Sequence, residues 1–171
     1  MFIKTPIIVK RFNLHNEIRD ILLDVIDNME MTVVDNHDRL TTDYYNKDQF
    51  CEYRSLILPK MTFFLEKIFV EDLNFKNYMN NQLINRCWVQ QYYKDGIHDW
   101  HIHENSMYNV VYYLEKPVDS PGTELKSPLS DEVFEPNVSE GDVLMFPSFL
   151  IHRSANNQST KRKTIISFNV Y

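Results

Sequence analysis

The hydrophobic period of this chain changes near Leu83, and that change divides what its two halves can become. Before it, apolar residues recur at helical spacing: Leu14, Ile18, Leu22, Leu23, Ile26 and Met29 form one stripe, and Met61, Phe64, Leu65, Ile68 and Phe69 a second. After it come short apolar runs bounded by turn signals, beginning with Ile84, Cys87, Trp88, Val89, Tyr92 and Tyr93. The spacing predicts an opening strand over 2–12, a helix over 14–30 capped by Asn13, and a helix from about 58 to 70 with Pro59 in its first turn. A polar stretch over 31–50, centred on Asp35-Asn36-His37-Asp38, has room for a short strand at 31–34, and 71–82 suits helix or turn. Further strands are predicted at 84–95, 98–103, 107–115, 122–126, 132–135, 142–147, 150–154 and 162–170. Pro117, Pro121, Pro128 and Pro136 confine 115–140 to turns and edge strands. The expected plan is one domain over 1–171, mainly β with N-terminal helices (α+β). Residues 1–82 form helical support with an opening strand, and 83–171 the β core.

Glycine narrows the function classes. The chain has three, Gly96, Gly122 and Gly141, each in a turn-forming dipeptide. No glycine precedes residue 96, so an N-terminal phosphate loop or dinucleotide fingerprint is excluded. A net charge of −6 argues against a large nucleic-acid surface or a membrane held by charge. Cys51 and Cys87 form no C-x-x-C pattern and are expected as free buried thiols in a reducing cytoplasm. Met1-Phe2-Ile3-Lys4 lacks the features of a signal peptide, and no apolar run is long enough to span a bilayer.

Chemistry concentrates in histidine. His101 and His103 are two residues apart, so on a strand both rings share a face, whereas on a helix they would diverge. His98 has the wrong parity, which a bend after Gly96 would correct. His152 lies in the apolar run Ser148-Phe-Leu-Ile-His152, where a buried imidazole needs partners. Three histidines from two strands suit iron or another divalent metal; the bland alternative is hydrogen-bonded polar core residues. Strand alternation then sends Lys163, Ile165, Ser167 and Asn169 to one face and Arg162, Thr164, Ile166 and Phe168 to the other, so one cation enters the interior. A cation beside neutral histidines calls for an anionic ligand such as a carboxylate.

Trp100-His-Ile-His103 followed by Tyr108-Asn-Val-Val-Tyr-Tyr-Leu114, the run from Gly141 through Phe146-Pro-Ser148 to His152, and Lys163-Thr-Ile-Ile-Ser-Phe-Asn169 together resemble a known superfamily. It is that of the 2-oxoglutarate and Fe(II)-dependent oxygenases, and within it the small oxygenases of bacteria and marine phages with a His-x-His motif. The resemblance covers roughly residues 84–171. It implies a double-stranded β-helix (jelly-roll, cupin-like) barrel supported by two or more helices. It also implies Fe(II) held by His101, His103 and His152, with O2 and the cosubstrate 2-oxoglutarate. The superfamily usually has a carboxylate where His103 stands, so Asp99 or Glu104 remains an alternative third ligand. Lys163, or its neighbour Arg162, falls at the position of the cation that binds the far carboxylate of 2-oxoglutarate; Tyr93 and Asn109 fall at further cosubstrate contacts. The run from Gly141 to Asn156 also resembles the second cupin motif.

The implied activity is hydroxylation of a small molecule or peptide, coupled to conversion of 2-oxoglutarate to succinate. The implied location is the cytoplasm of a bacterium or of a phage-infected cell. Substrate contacts are expected from 31–50, from Trp100 to Asn105 and from 116–138. The aromatic surplus leaves room for a homodimer. Two other readings stand beside this one: a cupin-type three-histidine metalloenzyme without 2-oxoglutarate, and a non-catalytic barrel that binds no metal.

Overall fold

The computed structural model describes residues 6–34, 39–46, 51–75 and 83–171. Strand β1 (Ile8–Arg11) leads into helix α1 (His15–Asp27), and short strands β2 (Thr32–Val33) and β3 (Leu40–Thr42) precede helix α2 (Glu52–Glu71). Then come β4 (Ile84–Tyr92), β5 (His98–His101), β6 (Tyr108–Glu115), β7 (Thr123–Lys126), β8 (Val133–Phe134), β9 (Asp142–Pro147), β10 (Ile151–Ser154) and β11 (Lys163–Val170).

The strands form two sheets. One has seven strands in the order β1-β9-β6-β11-β4-β3-β2, the other four in the order β5-β10-β7-β8. Every strand pairing in both sheets is antiparallel. Here the expected fold is corrected. Among the described residues no strand hydrogen-bonds into both sheets, so neither closes and there is no double-stranded β-helix (jelly-roll) barrel; the fold is a mixed one, two open sheets with helices. Alternation along a strand shows which residues face inward, but it is silent on whether a sheet's edges meet.

That alternation builds two apolar layers. Val110, Tyr112, Val143, Met145, Ile166 and Phe168 pack with Ile18, Leu22 and Ile26 of α1 and Ile57, Met61 and Leu65 of α2. Their strand neighbours Val111, Tyr113, Leu144, Phe146 and Ile165 face the other way, toward Leu125 of the four-stranded sheet. The histidines lie in this second layer.

Several local expectations change. Helix α1 starts at His15 with Leu14 as its N-cap and no side-chain cap bond, so Asn13 does not cap it. Helix α2 starts at Glu52, leaving Pro59 inside it; the buried stripe of Tyr53, Ile57 and Met61 extends the helix N-terminally past the proline. The opening strand is limited to Ile8–Arg11 within the described residues. β3 was not expected at all: Leu40–Thr42 is too short and polar to signal itself. Asp35-Asn36-His37-Asp38 and most of 71–82 lie outside the described residues. Cys51 is half-buried and Cys87 buried, and no disulfide joins them. No helix among the described residues is long and apolar enough to cross a membrane.

Candidate metal centre

His101 ends β5 and His152 lies on β10, and the two are directly paired across the sheet. His103 lies two residues past the end of β5. One ring nitrogen from each of these three histidines can be chosen so that all lie within 4.8 Å of one another. The rings stand 4.2 Å (His101–His152), 4.8 Å (His103–His152) and 5.2 Å (His101–His103) apart by centroid. Asp99 and Glu104 are exposed, and no carboxylate joins the group among the described residues.

The hydrogen bonds decide which nitrogen is free. His101 Nδ1 lies 2.7 Å from the Asp99 carbonyl oxygen, His152 Nδ1 3.2 Å from that of Leu150, and His103 Nδ1 2.8 Å from Asn169 Oδ1. Those oxygens only accept, so each Nδ1 carries the proton and each Nε2 presents a lone pair. Ligand histidines in metal sites are typically oriented in this way. Burial is the largest cause holding all three rings neutral. His152, which is 5% exposed, is pushed down to about 2 and His103 to about 4, with further lowering from the neighbouring histidines; His101 is lowered too. Neutral imidazole is the ligating form, so the donor set fits a divalent metal.

His98 joins the centre. A register shift between β5 and β10 sets it opposite Ser154, and its ring stacks on that of His101 at 4.0 Å. Its Nδ1 lies 3.0 Å from Gln90 Nε2. Trp88 stands 5.2 Å from the His103 ring and Phe146 4.9 Å from that of His152, walling the centre with carbon.

The remaining expected residues separate. Lys163 is 1% exposed; its Nζ donates to Ser154 Oγ at 2.7 Å and to the Pro121 carbonyl at 3.0 Å, and lies 4.6 Å from the Tyr92 ring centroid. No ion pair to Lys163 occurs among the described residues, and burial, followed by the charge of Lys116, lowers it to about 7. Arg162 points to the opposite face and is paired with Asp27 and Glu115. Tyr93 is 39% exposed, while its neighbour Tyr92 is the tyrosine that faces Lys163. Asn109 is buried; its Oδ1 accepts from Ser106 Oγ, and its Nδ2 has no partner among the described residues. Two participants escaped the sequence reading. Parity placed Asn169 on the Lys163 face of β11 but gave it no role as the partner of His103, and Gln90 gave no signal.

Two cavities adjoin the triad. The inner one, about 20 Å³, is lined by Gln90, Tyr92, His98, Asn109, Thr123 and Ser154 among others. The outer one, about 210 Å³, is bounded by Val34, Leu40, Tyr44, Tyr45, Trp88 and Ile102, with His98, His101 and His103 at its base.

No family model matches the chain, and no curated protein matches it in sequence. Solved structures do match in fold. A 2OG-Fe(II) oxygenase family oxidoreductase from Burkholderia pseudomallei superposes with a TM-score of 0.73 at 12% identity, over 96% of this chain and 84% of that one. A prolyl-4-hydroxylase from Pseudomonas putida gives 0.66 at 11%, over 98% and 94%. A Trichoplax adhaerens prolyl hydroxylase, solved with a hypoxia inducible factor peptide fragment, gives 0.66 at 14%, over 98% and 84%. At these identities the likeness is one of fold alone.

Proposed function

We propose that this chain is a three-histidine metalloenzyme that holds one divalent iron for oxidation chemistry. The observation that carries the reading is the convergence of His101, His103 and His152 with every Nδ1 committed to an oxygen acceptor. Imidazole donors suit iron, zinc, copper and nickel alike. Iron is favoured because the structures that share the fold include a 2OG-Fe(II) oxygenase. When bound, it supplies the redox and dioxygen chemistry that no side chain can.

The chain's own contribution is position and environment. Three neutral ligands leave the full charge of a divalent ion uncompensated, so the centre attracts an anionic or electron-rich ligand more strongly than one with a carboxylate would. Trp88 and Phe146 exclude water beside the ligands, which strengthens electrostatic interactions there. Asn109 Nδ2, buried and without a partner among the described residues, offers a hydrogen bond to an incoming oxygen atom.

Lys163 favours a second, more specific reading in which 2-oxoglutarate is the cosubstrate. A buried ammonium with no carboxylate is suited to an anion. The volume opposes it: the inner cavity of about 20 Å³ holds one water, so a five-carbon diacid would enter only if side chains such as Gln90 and His98 moved aside.

The test loads the protein anaerobically with Fe(II), admits oxygen, and follows oxygen uptake and succinate with and without 2-oxoglutarate. Iron-dependent uptake without succinate is the expected result. Succinate formed in step with uptake would move the assignment to the second reading, and no iron-dependent uptake under either condition would overturn both.

A further inference from the structure

We infer that the outer cavity is the substrate pocket and that it takes an uncharged aromatic ring, one ring in size, held beside the triad. This deepens the metalloenzyme reading and rests on it for the pocket's purpose, though not for what the pocket binds.

The first ground is place. The cavity opens against His98, His101 and His103, so its occupant lies next to the metal ligands. The second is size. At about 210 Å³ it exceeds the roughly 150 Å³ apolar cavity that accommodates benzene in an engineered protein core, and it falls short of the roughly 300 Å³ lower end of drug-sized pockets. The third is chemistry. Among the described residues its wall carries no Asp, Glu, Lys or Arg; its polar side chains are Thr42, Gln90, the histidines and the hydroxyl-bearing Tyr44 and Tyr45, all uncharged or held neutral. Away from the metal ligands, a charged substrate group would leave water there without a counter-charge.

The fourth ground is shape. Tyr44 makes edge-to-face contacts with Tyr45 and with Trp88, each at 5.3 Å, and Trp88 continues to His103 at 5.2 Å. A flat ring extends such an array with the offset or edge-on geometry that aromatic pairs favour. The array is also stiffened: the Arg86 guanidinium lies 3.7 Å from the Tyr44 ring centroid and donates to both the Tyr44 hydroxyl and its carbonyl. Tyr45 and Ile102, 63% and 56% exposed, leave apolar surface at the mouth uncovered.

The test is direct binding to the metal-free full chain, read by NMR from the Trp88 indole resonance, with benzyl alcohol, benzylamine and benzoate as probes. Benzyl alcohol is expected to bind at least tenfold more tightly than either charged analogue. Tyr45→Glu, at an exposed rim position, should weaken benzyl alcohol at least tenfold, and Phe63→Ala, on the exposed face of α2, should not change it. Equal or tighter binding of a charged analogue, or indifference to Tyr45→Glu, would overturn the inference. Metal titration of the same samples separates the two claims. Ring binding without metal binding would sustain the pocket and overturn the metalloenzyme reading; metal binding without ring selectivity would do the reverse.

Discussion

Each triad imidazole has one committed nitrogen, but the commitments differ in kind. His101 and His152 donate to backbone carbonyls two residues before them, so the local backbone itself orients those rings. His103 depends on a side chain, Asn169, from another strand. Asn169→Ala should therefore lower metal affinity about 10–100-fold, the usual cost of losing such a partner, in an isothermal titration. Unchanged affinity would show that Trp88 packing alone orients His103. Lys163 makes a separate prediction. Buried, it titrates at about 7, whereas in an unfolded chain it stays charged to about pH 10.4. Between those values the unfolded chain binds the extra proton, so the destabilisation at this residue is full below pH 7 and fades as pH rises toward 10. Lys163→Met should raise Tm at pH 6, by about 2–4 °C for each kcal/mol recovered, and the gain should shrink by pH 10. A gain independent of pH would contradict a buried ammonium.

The elements are held in register by a few close approaches. Gly96 has room for no side chain: a Cβ there would collide with the Arg39 carbonyl just before β3, while its own carbonyl accepts from Asn157 N at 3.0 Å. It thereby sets where β5 begins, and β5 carries His98 and His101. Gly122 is crowded mainly by the Val138 and Glu135 side chains, which can yield. Gly96→Ala should cost roughly 1–3 kcal/mol in denaturant unfolding and also weaken metal binding; Gly122→Ala should lower stability alone. Equal metal affinity in the two variants would show that β5 is placed by other contacts. At this scale the sequence was only partly readable. The i, i+2 spacing paired His101 with His103, yet β5 ends at His101 and the pairing is completed by the following coil. The parity of His98 points away from the centre unless the chain bends after Gly96; the register shift opposite Ser154 brings its ring onto that of His101. Pro59 misplaced the start of α2 because burial of Tyr53 and Ile57 outweighs a proline's local preference.

Across the whole molecule, helices α1 and α2 and the strands from β4 onward follow the 3.6- and 2-residue periods, which are direct records of burial. Lys163, Ile165, Ser167 and Asn169 were placed on one face by the same logic, and that face meets the second sheet. Closure was not legible. β1 beyond β9 and β3 and β2 beyond β4 widen the larger sheet to seven strands, and local alternation carries no information on how far a sheet extends or whether its edges meet. What the architecture provides is two sheets whose facing layers bring β5, β10 and the end of β11 to one point. The central claim is that this point binds one metal ion. It is tested most directly by anaerobic equilibrium titration of the full chain with Fe(II), alongside its His152→Ala variant. One ion per chain, with affinity reduced at least a hundredfold in the variant, is the predicted result. No stoichiometric binding, or binding that His152→Ala leaves unchanged, would contradict it.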